Sequence, residues 1–378
     1  MKIVSAVLLL VALVSFYALY ALSRVQEPIS AGISLSDALS DHDGSFAKVV
    51  PGRNFSFPSD HGEHPDYKTE WWYFTGNLFD DDRNSYGYQL TLFRVGLGHP
   101  EESESQWSSD SLLMGHFALS DPKNDDFYSF ERFSRRALGL AGVKENGTKI
   151  WLENWSLERG LDGAWSLEAK AQKKNGKLIS LSLDLEESKN LVLQGDQGYS
   201  RKGPSEEDAS YYVSQTRLAS FGKLRIGERE FEVEGDSWFD HEWSSAALAE
   251  GLNGWDWFSL QLDNNTELML YLLRYEDGRL EAASSGSFVD SRGLKTHLSL
   301  DDFKVQKLAE HRSPRGVLYP SQWRLRVPSQ NLNLVVSPTM ENQEMASSIP
   351  YWEGAVKVSG TASGRDIEGY GFVELTGY

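Results

Sequence analysis

The sequence predicts an all-β protein built from two related β domains in tandem. Three observations lead there. From Phe55 onward, short apolar–polar runs of period two are separated by turn residues. Long amphipathic helices are absent from that stretch. The first half of the chain is then echoed in the second, in the same order.

The chain opens with Lys2 and an uncharged, mostly apolar run from Ile3 to Leu22, followed by a small-x-small site at Ala21-Leu22-Ser23. Residues 1–23 therefore read as a cleaved signal peptide or as an N-terminal membrane anchor, since ~20 apolar residues suffice to span a bilayer. Both readings put residues 24–378 outside the cytoplasm, in the periplasm or cell envelope. Residues 24–50, rich in Ser, Asp and Ala, form a leader that ends at Pro51-Gly52. A first domain is expected over 51–246 and a second over 247–378.

Within these domains, Leu90–Val95 and the alternating Ile179–Leu185 read as strands. Asn146-Gly147, Asn175-Gly176, Gly227-Glu228 and Asp277-Gly278 sit where hairpin turns need positive φ. Ser244 to Leu252, with its alanines, reads as one short helix. The repeat rests on three echoes. Trp71-Trp72-Tyr73-Phe74-Thr75 matches Trp255-Asp256-Trp257-Phe258-Ser259, Ala164-Trp165-Ser166-Leu167 matches Gln322-Trp323-Arg324-Leu325, and Tyr211–Gly222 matches Tyr351–Gly360. The unit is too long for a solenoid, which leaves two similar β domains, barrels or sandwiches.

Composition narrows the function. Apolar residues make up 40 % of the 378 and aromatics 12 %, enough for sizeable cores. A net charge of −18 argues against nucleic acid, whose phosphates demand Lys and Arg, and against an anionic membrane surface. Any membrane contact is expected through the N-terminal run alone. With no cysteine, disulfides, thiolate metal sites and Cys nucleophiles are excluded. Twelve Trp suit ligand walls as well as cores.

Chemistry concentrates at Asp240-His241-Glu242, a group that titrates near neutrality between two carboxylates and flanked by aromatics. On an extended strand Asp240 and Glu242 point one way, and Phe239, His241 and Trp243 the other. A carboxyl facing an apolar space would have its pKa raised and act as a general acid. The alternative is a hydrogen-bonded corner between domains. Glu70-Trp71-Trp72-Tyr73 and Trp255-Asp256-Trp257, each an acid beside aromatics, read as ligand walls or as aromatic plugs of a barrel end. No metal site is expected: His241 lacks a second His at helical zinc spacing, and His61-x-x-His64 has no evident further ligands. No Gly-x-Ser-x-Gly elbow or phosphate loop is present.

Glu70-Trp71-Trp72-Tyr73, the run Trp238–Ser244, the Trp-x-Trp-Phe at 255–258 and the closing Gly369-Tyr370-Gly371-x-x-Glu374-Leu375-Thr376-Gly377-Tyr378 together resemble the AttH/CrtC-like family. The resemblance runs from about Pro51 to Tyr378. Those proteins are lipocalin-like and include carotenoid 1,2-hydratases and exported proteins described as secreted hydrolases. The resemblance implies two lipocalin-like β-barrels and, in its hydratases, addition of water to a terminal isoprenoid double bond without a redox cofactor. It maps the His and Trp of the family's Asp-His-x-Trp motif onto His241 and Trp243. It also implies a Tyr and an acid on a following strand; Tyr271 supplies the Tyr, and the acid is missing.

The expected function is an exported protein that binds a hydrophobic small molecule, lipid or isoprenoid, with no cofactor and no metal. Asp240 or Glu242 would protonate an alkene, and His241 would orient that acid or activate water. Tyr73, Trp243, Trp255 and Trp257 would hold the substrate, with Glu70, Trp71, Trp72, Asp256 and Tyr271 completing the walls. Two alternatives stand: a non-catalytic carrier of the cell envelope, and a secreted hydrolase using Ser237 or Ser244 near His241.

Overall fold

The computed structural model describes residues 45–97, 110–136, 138–144, 147–244 and 248–378. The N-terminal run at 1–23 and the leader up to residue 44 lie outside the described residues. Among the described residues, no helix is long and apolar enough to cross a membrane.

Two antiparallel sheets are built from strands in chain order. The first holds β1 (Thr69–Asp80), β2 (Ser85–Gly96), β3 (Ser111–Asp121), β4 (Asp126–Arg135), β5 (Ala141–Val143), β6 (Lys149–Leu152), β7 (Trp155–Arg159), β8 (Trp165–Gln172), β9 (Leu178–Glu187), β10 (Val192–Leu193), β11 (Tyr199–Arg201), β12 (Ala209–Ile226) and β13 (Arg229–Ser244). The second holds β14 (Leu252–Leu262), β15 (Glu267–Tyr275), β16 (Ser285–Val289), β17 (Lys295–Ser299), β18 (Lys304–Arg312), β19 (Leu318–Val327), β20 (Leu332–Pro338), β21 (Glu344–Met345), β22 (Tyr351–Ala362) and β23 (Arg365–Leu375). Each sheet curls into a near-closed, barrel-like domain.

The repeat is visible in the strand order. The first sheet runs β4-β3-β2-β1-β13-β12-β9-β8-β7 and continues through β6 and β5, and the second runs β17-β16-β15-β14-β23-β22-β20-β19-β18. The three sequence echoes fall on β1/β14, β8/β19 and β12/β22. Trp165 and Trp323 each sit fully buried in the core of their own sheet. Alternation explains the strands locally. In β9, Ile179, Leu181, Leu183 and Leu185 are buried while the intervening residues lean outward. Gly176 and Gly227 turn their hairpins at φ of +86° and +66°, where a Cβ would be strained. The expected helix at 244–252 does not form in its described part. Ser244 ends one strand, Leu252 begins the next, and Gly251 at φ +85° breaks the chain between them.

The sheets pack face to face, so β1 and β13 each have two buried faces. On the first sheet's inner face Trp72, Phe74, Leu78 and Phe239 join a large apolar core. On the other face Tyr73, Tyr212 and Trp238 meet Trp257, Met269, Tyr271, Ala355 and Phe372 of the second sheet. We call this second layer the seam. Close approach is built in: a Cβ on Gly87 would lie 2.4 Å from the Ala355 Cβ. Hydrogen bonds cross it from Asn77 to the Gly371 carbonyl (3.2 Å), from Ser120 to Gln343 (2.6 Å) and from Gln261 to the Ser237 carbonyl (2.9 Å). At one end a bulge in β12 between Gln215 and Leu218 frees Arg217 from the ladder, and Arg217 and Lys189 clamp the buried Glu267 at 2.8 and 2.7 Å.

Candidate functional site

The strand period divides the acid–imidazole–acid run between two environments. Asp240 and Glu242 face the seam, whereas Phe239, His241 and Trp243 face the first barrel's interior. The expected wall residues divide the same way. Trp71, Tyr73, Trp255, Trp257 and Tyr271 lie on the seam; Glu70, Trp72 and Trp243 lie inside the first barrel, and Asp256 lies inside the second. One cluster bordering one space is therefore not what forms.

Inside the first barrel, His241 bonds Glu70 rather than Asp240. Its Nε2 and the Nδ1 of His64 lie 2.9 and 2.7 Å from the same Glu70 oxygen, while Arg94 Nε donates to the other at 3.1 Å. His64 also lies flat on Trp243, with ring centroids 3.8 Å apart, and reaches Asp60 at 3.2 Å. Burial works against the Glu70 charge, but His64, His241 and Arg94 more than offset it and hold the carboxyl well below its usual range. His64 goes the other way: despite burial, Glu70 and Asp60 raise its pKa and favour the imidazolium. Burial lowers the pKa of His241 and keeps it neutral. Its Nε2 then donates to Glu70, and Nδ1 is left buried without a partner. Neither Ser237 nor Ser244 is bonded to His241. Ser237 bonds Tyr88 and Ser220, and Ser244 bonds Thr69. The expectation that His241 orients the acid at 240 fails, because the two side chains leave opposite faces of one strand.

His64, Glu70 and His241 bring three possible metal-ligand atoms within 4.8 Å of one another. The sequence showed no partners for His64; the fold supplies them. Both imidazoles already engage one carboxylate oxygen and a guanidinium covers the other, so the arrangement is a proton-linked clamp. A cation there would have to displace those contacts beside Arg94.

On the seam, Asp240 accepts from Ser214 (2.5 Å), Tyr212 (2.6 Å) and Trp238 (2.7 Å). Burial nevertheless pushes its pKa up to about 7, with the nearby Glu242 charge adding to the rise. Trp257 donates to Tyr212 at 3.1 Å, which extends the chain into the second sheet. Glu242 pairs with Lys202 at 3.0 Å, and that ammonium lies 4.2 Å from the Tyr271 ring centroid. Tyr271 itself bonds Ser200 and Ser285 at 3.1 and 2.7 Å.

Two further acids complete the seam. Glu353 and Glu374 are directly opposed on β22 and β23, Glu353 buried and Glu374 partly so. Burial and the like charge of Glu374 raise Glu353 well above the carboxylate range. Burial, with Glu242 and Asp240 adding to it, raises Glu374 to about 7. Tyr73 donates a short hydrogen bond to Glu353 Oε1, and the Tyr351 phenol makes a looser contact to the same carboxyl. Oε2 of Glu353 is buried with no hydrogen-bond partner of good geometry. No acid lies beside Tyr271 at the position the resemblance implies; the closing strands carry these two instead. The registers make Glu374 the counterpart of Asp240: Tyr73 pairs with Asp240, and its repeat-mate Trp257 pairs with Glu374.

Known proteins bear out the architecture. A sequence profile described as AttH-like matches residues 48–378. The crystal structure of an AttH protein from Nitrosomonas europaea is similar with a TM-score of 0.78 and 32 % identity, covering 88 % of this chain and 100 % of that one. Kievitone hydratase from Nectria haematococca shares the fold at a TM-score of 0.64 and 13 % identity, covering 88 % and 95 %. Among curated sequences, kievitone hydratase of Fusarium solani subsp. phaseoli is 24 % identical over 142 residues, 37 % of this chain and 40 % of that protein. Dehydratase asqC of Emericella nidulans is 22 % identical over 165 residues, 41 % and 46 % respectively. The chain thus spans less than half the length of either curated relative. With the profile covering most of the chain and the Nitrosomonas structure matched along its whole length, this protein belongs to the AttH-like family.

Proposed function

We propose that the protein is an exported, hydratase-like lyase that adds water to an alkene of a hydrophobic small molecule, such as an isoprenoid or lipid, held at the seam. Export is inferred from the apolar run at residues 3–22. The reaction class is inferred from relatives named as a hydratase and a dehydratase. The observation that carries the proposal is Glu353: a carboxyl kept protonated by burial and by Glu374, with Oε2 unpartnered among aromatic side chains.

In this reading the Glu353 O–H gives its proton to one alkene carbon, and the π pair becomes the new C–H bond. The positive charge left on the other carbon is faced by the rings of Tyr73, Tyr271 and Trp257, whose π faces attract cations. A water oxygen closes the C–O bond there. Its surplus proton returns to the Glu353 carboxylate, directly or through Glu374, so no redox partner is needed.

The test is to incubate wild type and Glu353→Gln with terminal isoprenoid alkenes in heavy-oxygen water and detect the labelled alcohol by mass spectrometry. Labelled alcohol from the wild type and its loss in the variant support the assignment; equal turnover by both sinks it. A second reading, a carrier without chemistry, draws on Asp240, whose three donors all come from its own sheet and fix it as a structural anchor, with Tyr212 in turn held by Trp257 of the second sheet. A ligand that co-purifies and is returned unchanged by the wild type would favour that reading.

A further inference from the structure

A line of proton-carrying groups runs from the protein surface to Glu353, hydrogen-bonded from Glu131 to Tyr351 and closed by the looser contact of the Tyr351 phenol to the Glu353 carboxyl. It starts at Glu131 on β4, whose side chain is 17 % exposed. Glu131 is held in place by the Ser348 backbone N–H at 3.0 Å and the Ser348 hydroxyl at 2.8 Å. Its Oε1 meets His116 Nε2 at 3.1 Å, and His116 Nδ1 meets the Tyr351 hydroxyl at 2.8 Å. Tyr351 lies on β22, two residues from Glu353, on the same face of the strand. The His116 and Tyr351 rings lie at 29° with centroids 5.6 Å apart. We propose that Glu131, His116 and Tyr351 form a proton path that joins solvent to the buried carboxyl of Glu353.

Every link in this line can both give and take a proton, and one arrangement satisfies them all. Glu131 is ionised: burial opposes the charge, but His116 and Ser348 hold its pKa down, so it accepts from His116 Nε2–H. His116 Nδ1 then carries a lone pair and accepts the Tyr351 O–H. The Tyr351 oxygen is left free to accept from Glu353. A concerted shift moves one proton along each link: Glu353 O–H to Tyr351, Tyr351 O–H to His116 Nδ1, and His116 Nε2–H to Glu131. Glu353 ends as a carboxylate and Glu131 as a carboxylic acid; Tyr351 and His116 stay neutral, His116 with its proton moved from Nε2 to Nδ1. Glu131 then exchanges with water, and the reverse shift reloads Glu353.

The line also crosses between the sheets, since Glu131 and His116 belong to the first and Tyr351 and Glu353 to the second. Tie points elsewhere on the seam, such as Ser120 to Gln343 and Asn77 to Gly371, use neutral groups that do not titrate. This one uses an imidazole and a phenol in series between two carboxyls. The proposal bears on the hydratase reading but does not rest on it, because proton movement is measured without substrate.

The experiment uses the full chain with no ligand. The carboxylic C=O band of Glu353 is assigned by its loss in Glu353→Gln, and its shift is timed after rapid dilution into heavy water. Wild type exchanges quickly. In His116→Gln and Tyr351→Phe, which keep similar shapes but cannot relay a proton, exchange slows by about a hundredfold or more, the scale of losing a positioned proton-transfer group. Glu131→Gln slows it less, because water can reach His116. A merely structural line would lower the melting temperature and leave the exchange rate untouched. Wild-type exchange in folded His116→Gln, confirmed by near-ultraviolet circular dichroism, would overturn the path. So would the absence of any protonated band assignable to Glu353. If His116→Gln does not fold, Tyr351→Phe and Glu131→Gln decide on the same criterion.

Discussion

The two sheets repeat one strand order and differ sharply at one pair of matched positions. Asp240 in the first corresponds to Glu374 in the second, and both present an acid to the seam. One residue along, His241 corresponds to Leu375, and the resemblance ends. Leu375 joins the apolar interior of the second barrel, whereas His241 enters a buried charge cluster with Glu70, His64 and Arg94. Arg94 and Arg274 are matched too, but Arg274 binds Asp256, which Tyr378 caps at 2.8 Å. The lesson is that one acid of the seam, Asp240 or Glu374, is common to both halves, while the imidazole is an addition to one barrel's interior.

The largest expected break in that comparison is Glu70→Ala. It strands a buried guanidinium and an imidazolium, and loss of one partner from such a cluster costs ~3–5 kcal/mol, read as a lower urea midpoint. Next is Glu353→Gln, which loses ~10²–10⁴-fold in hydration rate, the usual share of a general acid, with folding retained. Its stability also changes with pH in a fixed direction. Glu353 keeps its proton in the native state while the unfolded chain releases it above 4.5, so the wild type loses stability as pH rises past that value. The glutamine variant does not share that loss.

His241→Leu makes the first sheet resemble the second. It removes one hydrogen bond to a charged carboxylate, about 1.5–3 kcal/mol, and leaves hydration unchanged because nothing on the seam moves. If turnover falls with Leu at 241, the division between the faces of β13 is wrong. The smallest effect is a slope. Asp240 holds its proton in the native state up to about 7 against an ordinary 3.8, so wild type loses stability relative to Asp240→Asn across that interval and not above it. One such group contributes at most about 1.4 kcal/mol per pH unit. Paired urea melts at several pH values measure it.

Much of this was legible in the sequence. Period-two alternation gave the strands, the tryptophan echoes gave the repeat, and alternation alone placed Asp240 and His241 on opposite faces. The Glu70–Arg94 pair was within reach, since the β1–β2 hairpin sets those residues opposite each other. The β22–β23 hairpin likewise opposes Glu353 and Glu374. What sequence could not show was which groups meet across the seam. Tyr73 and Glu353 are 280 residues apart, and His116 and Tyr351 are 235 apart. Such contacts depend on how two sheets stack, for which local pattern carries no signal. His64 was hidden for a related reason: it lies in an irregular loop, and neither of its carboxylate partners follows from a strand register.

The account turns on a carboxylic acid that stays protonated between the sheets at neutral pH. The direct measurement is the infrared difference spectrum of wild type minus Glu353→Gln, recorded across the neutral range. We predict a protonated C=O band that persists at neutral pH and titrates only in more alkaline solution. A spectrum with only ionised carboxylate bands for Glu353 at neutral pH would contradict the account.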